Sequence, residues 1–224
     1  MGYIAVAIDG PSGAGKSTVA RAAAARLGYV YVDTGAMYRA IGLAVCRRGI
    51  EEGDTAGILA VLPEIRLAIT YQNGAQHVLL NGEDVSEAIR TPEIARYASK
   101  VSAVPAVRQF LLDVQRGMAE NGNILMDGRD IGTVILPQAQ VKIFLTASVE
   151  ARAERRYLEL REKGQDVTRE QVAADIAERD RQDMTRAIAP LRQAEDAVLL
   201  DTSALTLEES IQAVLRIIQE KTEE

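Results

Sequence analysis

The sequence predicts an α/β fold, a parallel sheet with helices between its strands, and three observations carry that expectation. Five largely apolar runs, Tyr3–Ile8, Tyr29–Val32, Ile124–Met126, Val141–Leu145 and Ala197–Leu200, suit strands buried on both faces, as in parallel sheets. Helix-favouring segments separate them, and a glycine-rich loop joins the first run to the first of these. A chain of 224 residues, 47% hydrophobic, can bury a full core as one domain with an insertion.

The first run leads into Gly10-Pro11-Ser12-Gly13-Ala14-Gly15-Lys16-Ser17, which fits G-x-x-x-x-G-K-[ST], the P-loop pattern, at every fixed position. Ser17 to Leu27 is Ala-rich and closes at Gly28, so strand, glycine loop and helix come in the required order. Glycines at 10, 13 and 15 let backbone N–H groups turn toward phosphate oxygens, and the helix N-terminus adds partial positive charge. Lys16 is placed to reach the β- and γ-phosphates and Ser17 to hold Mg²⁺. Gly10, Pro11, Ser12, Gly13, Ala14, Gly15, Lys16, Ser17 and Thr18 form the candidate ATP-binding set. The competing reading is a glycine turn capping a helix, with Lys16 in solvent.

Tyr29–Val32 delivers Asp33-Thr34-Gly35 at its carboxyl end, before a helix expected from Ala36 to Arg48 that stops at Gly49. Ligands bind beyond the carboxyl ends of parallel strands, which puts Thr34, Tyr38 and Arg39 near the loop's mouth. First-turn helix surface explains Tyr38 and Arg39 equally well. The period then changes to two in Ile65–Tyr71, followed by Asn73-Gly74, His77–Leu80 and Asn81-Gly82, the signature of a small antiparallel sheet. This insertion of roughly thirty residues is too small to fold alone. His77 is expected to be an exposed hairpin residue. Pro92 and Pro105 each suit the first turn of a helix, the second running to Glu120 and closing at Asn121-Gly122.

Ile124–Asp127 ends in a carboxylate that suits a Walker B acid orienting Mg²⁺ through water; a turn aspartate before Gly128 is the alternative. From Ser148 to Arg186 two charged helices break at Gly164, the second opening with the capping box Thr168-Arg169-Glu170-Gln171. They carry many arginines and few large apolar residues, so mobility is expected. Arg152, Arg155 and Arg156 suit either ATP phosphates or a solvated face. The last run leads to Asp201 and an amphipathic helix introduced by Thr206-Leu207-Glu208-Glu209.

Bulk properties exclude several classes. A net charge of −6 argues against a nucleic-acid partner, which needs surplus Lys and Arg. One cysteine, Cys46, and one histidine, His77, permit neither an intrachain disulfide nor a Cys or His metal cluster. No signal peptide, lipidation pattern or membrane-length apolar run is present, so a soluble cytoplasmic protein without membrane partners is expected. The lack of a long apolar stripe outside the expected core makes a monomer the default.

Three clusters join arginine to carboxylate: Asp33-Thr34-Gly35-Ala36-Met37-Tyr38-Arg39, Asp127-Gly128-Arg129-Asp130-Ile131-Gly132-Thr133, and Arg179-Asp180-Arg181-Gln182-Asp183-Met184-Thr185-Arg186. Arginine grips phosphate bidentately and a neighbouring carboxylate accepts from hydroxyls or amines, which points to a second, phosphorylated substrate. With the P-loop, these stretches resemble bacterial cytidylate kinases, of the nucleoside monophosphate kinase group, in order and spacing. Thr34 stands where many members have serine; both carry the hydroxyl.

The resemblance implies a P-loop NTPase-type five-stranded parallel sheet flanked by helices, with a small antiparallel-sheet insertion and a helical lid. It implies a core of 1–35, 122–147 and 190–224, a monophosphate-binding subdomain 36–121 with its sheet at about 63–86, and a lid at about 148–189. It further implies that ATP, with Mg²⁺, phosphorylates CMP or dCMP. Lys16, Arg129 and Arg186 would be catalytic, and Arg39, Arg129 and Arg186 would hold the acceptor phosphate. Arg179 and Asp183 would contact ribose, and Ser99, Arg108 and Asp130 would read cytosine. Ser17 would bind Mg²⁺ directly and Asp127 through water. Alternatives from the P-loop alone are a kinase for UMP or a shikimate-like alcohol, or a non-catalytic nucleotide-binding regulator. A GTPase base-reading Asn-Lys-x-Asp is missing, and Gly128 follows Asp127 where an ATPase carries glutamate.

Overall fold

The computed structural model describes residues 2–72 and 74–223; Asn73, the first residue of one expected turn, lies outside them. Strands are β1 (Ala5–Asp9), β2 (Val30–Asp33), β3 (Leu67–Gln72), β4 (Ala75–Leu80), β5 (Glu83–Asp84), β6 (Ile124–Gly128), β7 (Val141–Thr146) and β8 (Val198–Asp201). Helices are α1 (Lys16–Leu27), α2 (Thr34–Arg47), α3 (Thr55–Val61), α4 (Pro92–Ser102), α5 (Pro105–Gly117), α6 (Val149–Glu162), α7 (Arg169–Thr185) and α8 (Leu207–Glu223). The chain forms two compact units, Met1–Tyr31 with Gly122–Glu224, and Val32–Asn121.

The five-stranded sheet has the order β2-β6-β1-β7-β8, with β1 parallel to β6 and β7, and β7 parallel to β8. Central placement explains the unbroken apolar runs: Val6, Ile8, Ile124, Leu125 and Met126 are all fully buried. In the first unit one apolar cluster joins Val6, Ile8 and Ile143 of the sheet to Val19, Ala20 and Ala23 of α1 and to Ile211, Val214 and Ile218 of α8. The alanines of α1 let that helix lie close to the strands. A smaller cluster, Ala153, Leu160, Val172 and Ile176, holds α6 to α7, and the capping box at Thr168 and Gln171 opens α7.

In the second unit β3, β4 and β5 form the expected antiparallel sheet. Asn81 and Gly82 both take positive φ, 52° and 88°, as a tight hairpin turn requires. Pro92 and Pro105 open α4 and α5 as expected, but α5 stops at Gly117, short of Asn121-Gly122. The helix α3 was not expected. It spans seven residues, capped by Asp54 accepting from Gly57 N, too short for a helical period to register.

At Gly42, α2 meets α4 so closely that a Cβ would lie 3.0 Å from both Ala98 N and Tyr97 Cβ. Helix propensity favours Gly42→Ala by about 1 kcal/mol, while overpacking against backbone costs about 1–3 kcal/mol. Net destabilisation is expected, seen as a lower midpoint in urea unfolding.

Candidate active site

Gly10 is required by crowding: at φ 153° a Cβ there would sit 1.9 Å from Leu145 O. Gly13 and Gly15 take left-handed φ values of 72° and 83°. Gly15 is the N-cap of α1 and offers no side-chain cap, so the first amides of the helix have none of the usual side-chain acceptor. Lys16 is buried, and its Nζ donates to Pro11 O at 2.6 Å. Burial first, then the positive charge of Arg129, pull its pKa down to about 7, against the opposing pull of Asp127, Asp183 and Asp9. A cation so penalised, with a second cation near enough to add to the penalty, suits a polyanionic ligand.

Asp127, at the end of β6, is buried and accepts from two hydroxyls: Ser17 Oγ to Oδ2 and Tyr31 OH to Oδ1, both at 2.8 Å. Beyond it, Arg129 Nε donates to Asp183 Oδ2 at 2.7 Å. Arg186 lies 3.4 Å from Asp130 Oδ1 and 3.9 Å from Asp183 Oδ1. Arg129, Asp183, Arg186 and Asp130 thus form one charged cluster, with Asp130 and Asp183 buried. Burial raises the Asp183 carboxyl, but Arg129, Arg186 and Arg179 outweigh it and hold the pKa below the ordinary carboxylate value. Asp130 is therefore placed beside arginine, and Arg179 acts on Asp183.

Two features of the first unit were not anticipated. Asp9, ending β1, accepts from Ile131 N and Gly132 N, each at 2.8 Å, and so ties the P-loop's strand to the π-helical turn after Asp130. Ser12, at the P-loop apex, donates its N–H to Asp180 Oδ1 at 3.0 Å, and its carbonyl accepts from Arg152 Nη1 at 2.8 Å. Arg152 and Asp180 also pair with each other, both buried. The solvated-face reading of Arg152 is therefore corrected: its guanidinium holds Ser12, Asp180 and Ala147 O. Arg155 donates to the carbonyls of Thr202 and Leu205, and Arg156 pairs with Glu159.

In the second unit, Thr34 and Tyr38 are buried in the first turns of α2, not on the helix surface. Asp33 caps that helix by accepting from Ala36 N at 2.9 Å and pairs with Arg39 Nη2 at 2.7 Å. Burial opposes ionisation of Asp33, but Arg39 and the Ala36 amide outweigh it and its pKa is lowered. The Arg39 Nε is buried without a hydrogen-bond partner among the described residues. Arg108 stacks over the Tyr38 ring, 5.6 Å from its centroid, and donates to Ser102 O. Ser102 in turn donates to Ser99 O at 2.8 Å, so Tyr38, Arg108 and the Ser99 turn are brought together. His77 is half-buried and paired with Asp84 at 2.7 Å.

A family model described as cytidylate kinase matches residues 6–220, nearly the whole chain. The chain belongs to the cytidylate kinase family. A cytidylate kinase of Caldicellulosiruptor saccharolyticus is 51% identical over 97% of this chain and 96% of its own length. Those of Syntrophotalea carbinolica and Geobacter sulfurreducens are 50% and 49% identical over 96% of this chain, covering 92% and 93% of their own. A solved gluconokinase of Sinorhizobium meliloti superposes with a TM-score of 0.50 at 14% identity, over 97% of this chain and 92% of that one, a likeness of fold alone. Cytidylate kinase membership thus accords with the three arginine–carboxylate stretches. Among the described residues no helix is long and apolar enough to cross a membrane.

Proposed function

We propose that this chain transfers the γ-phosphoryl group of ATP to CMP or dCMP, giving CDP or dCDP and ADP. Family membership over nearly the full length supports this reading. The observation that carries it physically is the P-loop itself, with Lys16 only 5% exposed, Gly13 and Gly15 at left-handed φ, and the N-terminus of α1 without a side-chain cap, a place that a polyphosphate suits.

Lys16 and the P-loop amides hold the donor's β- and γ-phosphates. Arg39, Arg129 and Arg186 hold the acceptor phosphate, Arg129 and Arg186 exchanging carboxylate partners for phosphate oxygens. A nucleoside monophosphate has its second pKa near ~6, so the acceptor is already a dianionic nucleophile and needs no general base. Repulsion between two anions is the obstacle, and fixed cations lower it while aligning attacking and leaving oxygens. Arg179 and Asp183 meet the ribose. Asp130 accepts from the cytosine N4 amine, with Arg108 and Ser99 donating to N3 and O2. Closure of the 148–189 region keeps water from the transferring group.

The oxygen donors fit Mg²⁺. Ser17 Oγ and the Asp127 carboxylate lie 2.8 Å apart, and among the described residues no set of three or more His, Cys, Asp or Glu side chains forms a metal cage. That suits an ion held mainly by phosphates and water. Ser17 would hold it directly and Asp127 through water, and when bound it supplies charge neutralisation at the β- and γ-phosphates. The protein is proposed to act as a cytoplasmic monomer, with no nucleic-acid or membrane partner.

A coupled ADP-release assay with Mg²⁺ and ATP, run across CMP, dCMP, UMP, AMP, GMP and shikimate, tests the reading. Turnover is expected to be fastest with CMP and dCMP. Uracil would face Asp130 with a carbonyl, leaving buried polar atoms unpaired at ~1–3 kcal/mol, so Asp130→Ala should cut the preference over UMP about tenfold. Turnover confined to another acceptor would overturn the cytosine assignment, and ATP binding without turnover would favour a regulator.

A further inference from the structure

We propose that Gln76, on the small inserted sheet, is a positioning residue for the acceptor phosphate, acting through Asp33 on Arg39. In β4 the period of two puts Gln76 on the same face as Val78 and Leu80, which are 2% and 4% exposed. A polar side chain on a buried face must find partners, and Gln76 finds both on one residue. Its Oε1 accepts from Asp33 N at 2.8 Å, and its Nε2 donates to Asp33 O at 3.2 Å. The amide thereby supplies one residue's share of strand pairing where β2 ends. Its orientation is fixed as well, since a flipped amide would set NH₂ against N–H and oxygen against oxygen.

Asp33 passes this constraint on. With its backbone clasped at N and O, its carboxylate is aimed at Ala36 N and at Arg39 Nη2. Gly35 closes the space around the pair, since a Cβ there would lie 3.1 Å from both Arg39 Nη1 and Asp33 Oδ1. Arg39 is held by one edge while its Nε stays buried without a partner among the described residues. An arginine fixed in this way can take up a phosphate oxygen with little loss of freedom. The inserted sheet is therefore part of the acceptor machinery.

This inference rests on the reading that Arg39 holds the acceptor phosphate, and the test separates the two. Gln76→Leu removes both bonds at similar size; Gln76→Glu keeps the acceptor, loses the donor and sets a carboxylate against Asp33 O. Each is compared with wild type for kcat, KM for CMP, KM for ATP, thermal midpoint, and calorimetric affinity for CMP and for cytidine, which lacks the phosphate. Losing two neutral hydrogen bonds should raise KM and Kd for CMP about tenfold in Gln76→Leu, and comparably in Gln76→Glu, where repulsion at Asp33 O offsets the bond that is kept. Values for cytidine and ATP, and kcat, should stay within about twofold, because only binding to the acceptor phosphate is lost. Unchanged CMP binding in a folded Gln76→Leu, or equal weakening of CMP and cytidine, overturns the inference and leaves the kinase reading intact. If Gln76→Leu does not fold, Gln76→Glu carries the same comparison. Wild-type protein that fails to turn over CMP overturns both readings.

Discussion

Lys16→Met should lower kcat by a factor on the order of 10²–10³, the scale seen when a preorganised charge on a developing anion is removed, and should flatten the rise of stability with pH above neutrality. The second effect follows from the first unit's geometry. Burial, then Arg129, drag the Lys16 pKa from 10.5 to about 7. An unfolded lysine titrates near 10.5, so between those values the unfolded chain binds more protons, and linkage makes this group's contribution to stability rise with pH. Below about pH 7 both states are charged and the cost of burying the ammonium is felt in full. Methionine fills much of the same volume with no proton to lose. Urea unfolding from about pH 7 to about pH 9 should show a shallower slope for the variant than for wild type. Parallel slopes, or retention of kcat, would sink the assignment.

Asp180→Ala should cost about 3–5 kcal/mol, because it strands a buried guanidinium. Arg152 has a side chain only 5% exposed, and Asp180 also takes the N–H of Ser12. The loss reaches the P-loop apex, so KM for ATP should rise. Replacing both charges, Arg152→Met with Asp180→Leu, should recover much of the stability, since no unpaired charge remains. A double-mutant cycle by urea unfolding measures the coupling. Additive losses would show that the pair is not the unit described here.

Much of this was legible in the chain because the signals are local. Unbroken apolar runs reported strands shielded on both faces, Gly10 to Ser17 reported the phosphate loop, and Thr168 with Gln171 reported a helix start within four residues. The three arginine–carboxylate stretches reported the family. What escaped notice depends on partners far apart in sequence. Arg152 meets Ser12 across 140 positions, and Asp9 meets Ile131 across 122, so no periodicity marks either. On sequence alone Arg152 suits ATP phosphates or a solvated face equally, because its partners Ser12 and Asp180 are distant along the chain. Gln76 left no trace of its own, since it stands just before the His77–Leu80 run and its meaning needed the position of Asp33. The π-helical turn Ile131–Ile135 left none, since its bonds follow neither helical nor strand spacing.

The Asp127 carboxylate is moored at both oxygens, by the phenol of Tyr31 and by the hydroxyl of Ser17. A carboxylate tethered at both oxygens can let go of one partner without turning. When Ser17 gives its oxygen to another ligand, Tyr31 still fixes the carboxylate's heading, so a change of partner requires no change of place. If Ser17 and Asp127 serve Mg²⁺ as proposed, Asp127 is a stationary landmark while the groups around it trade bonds.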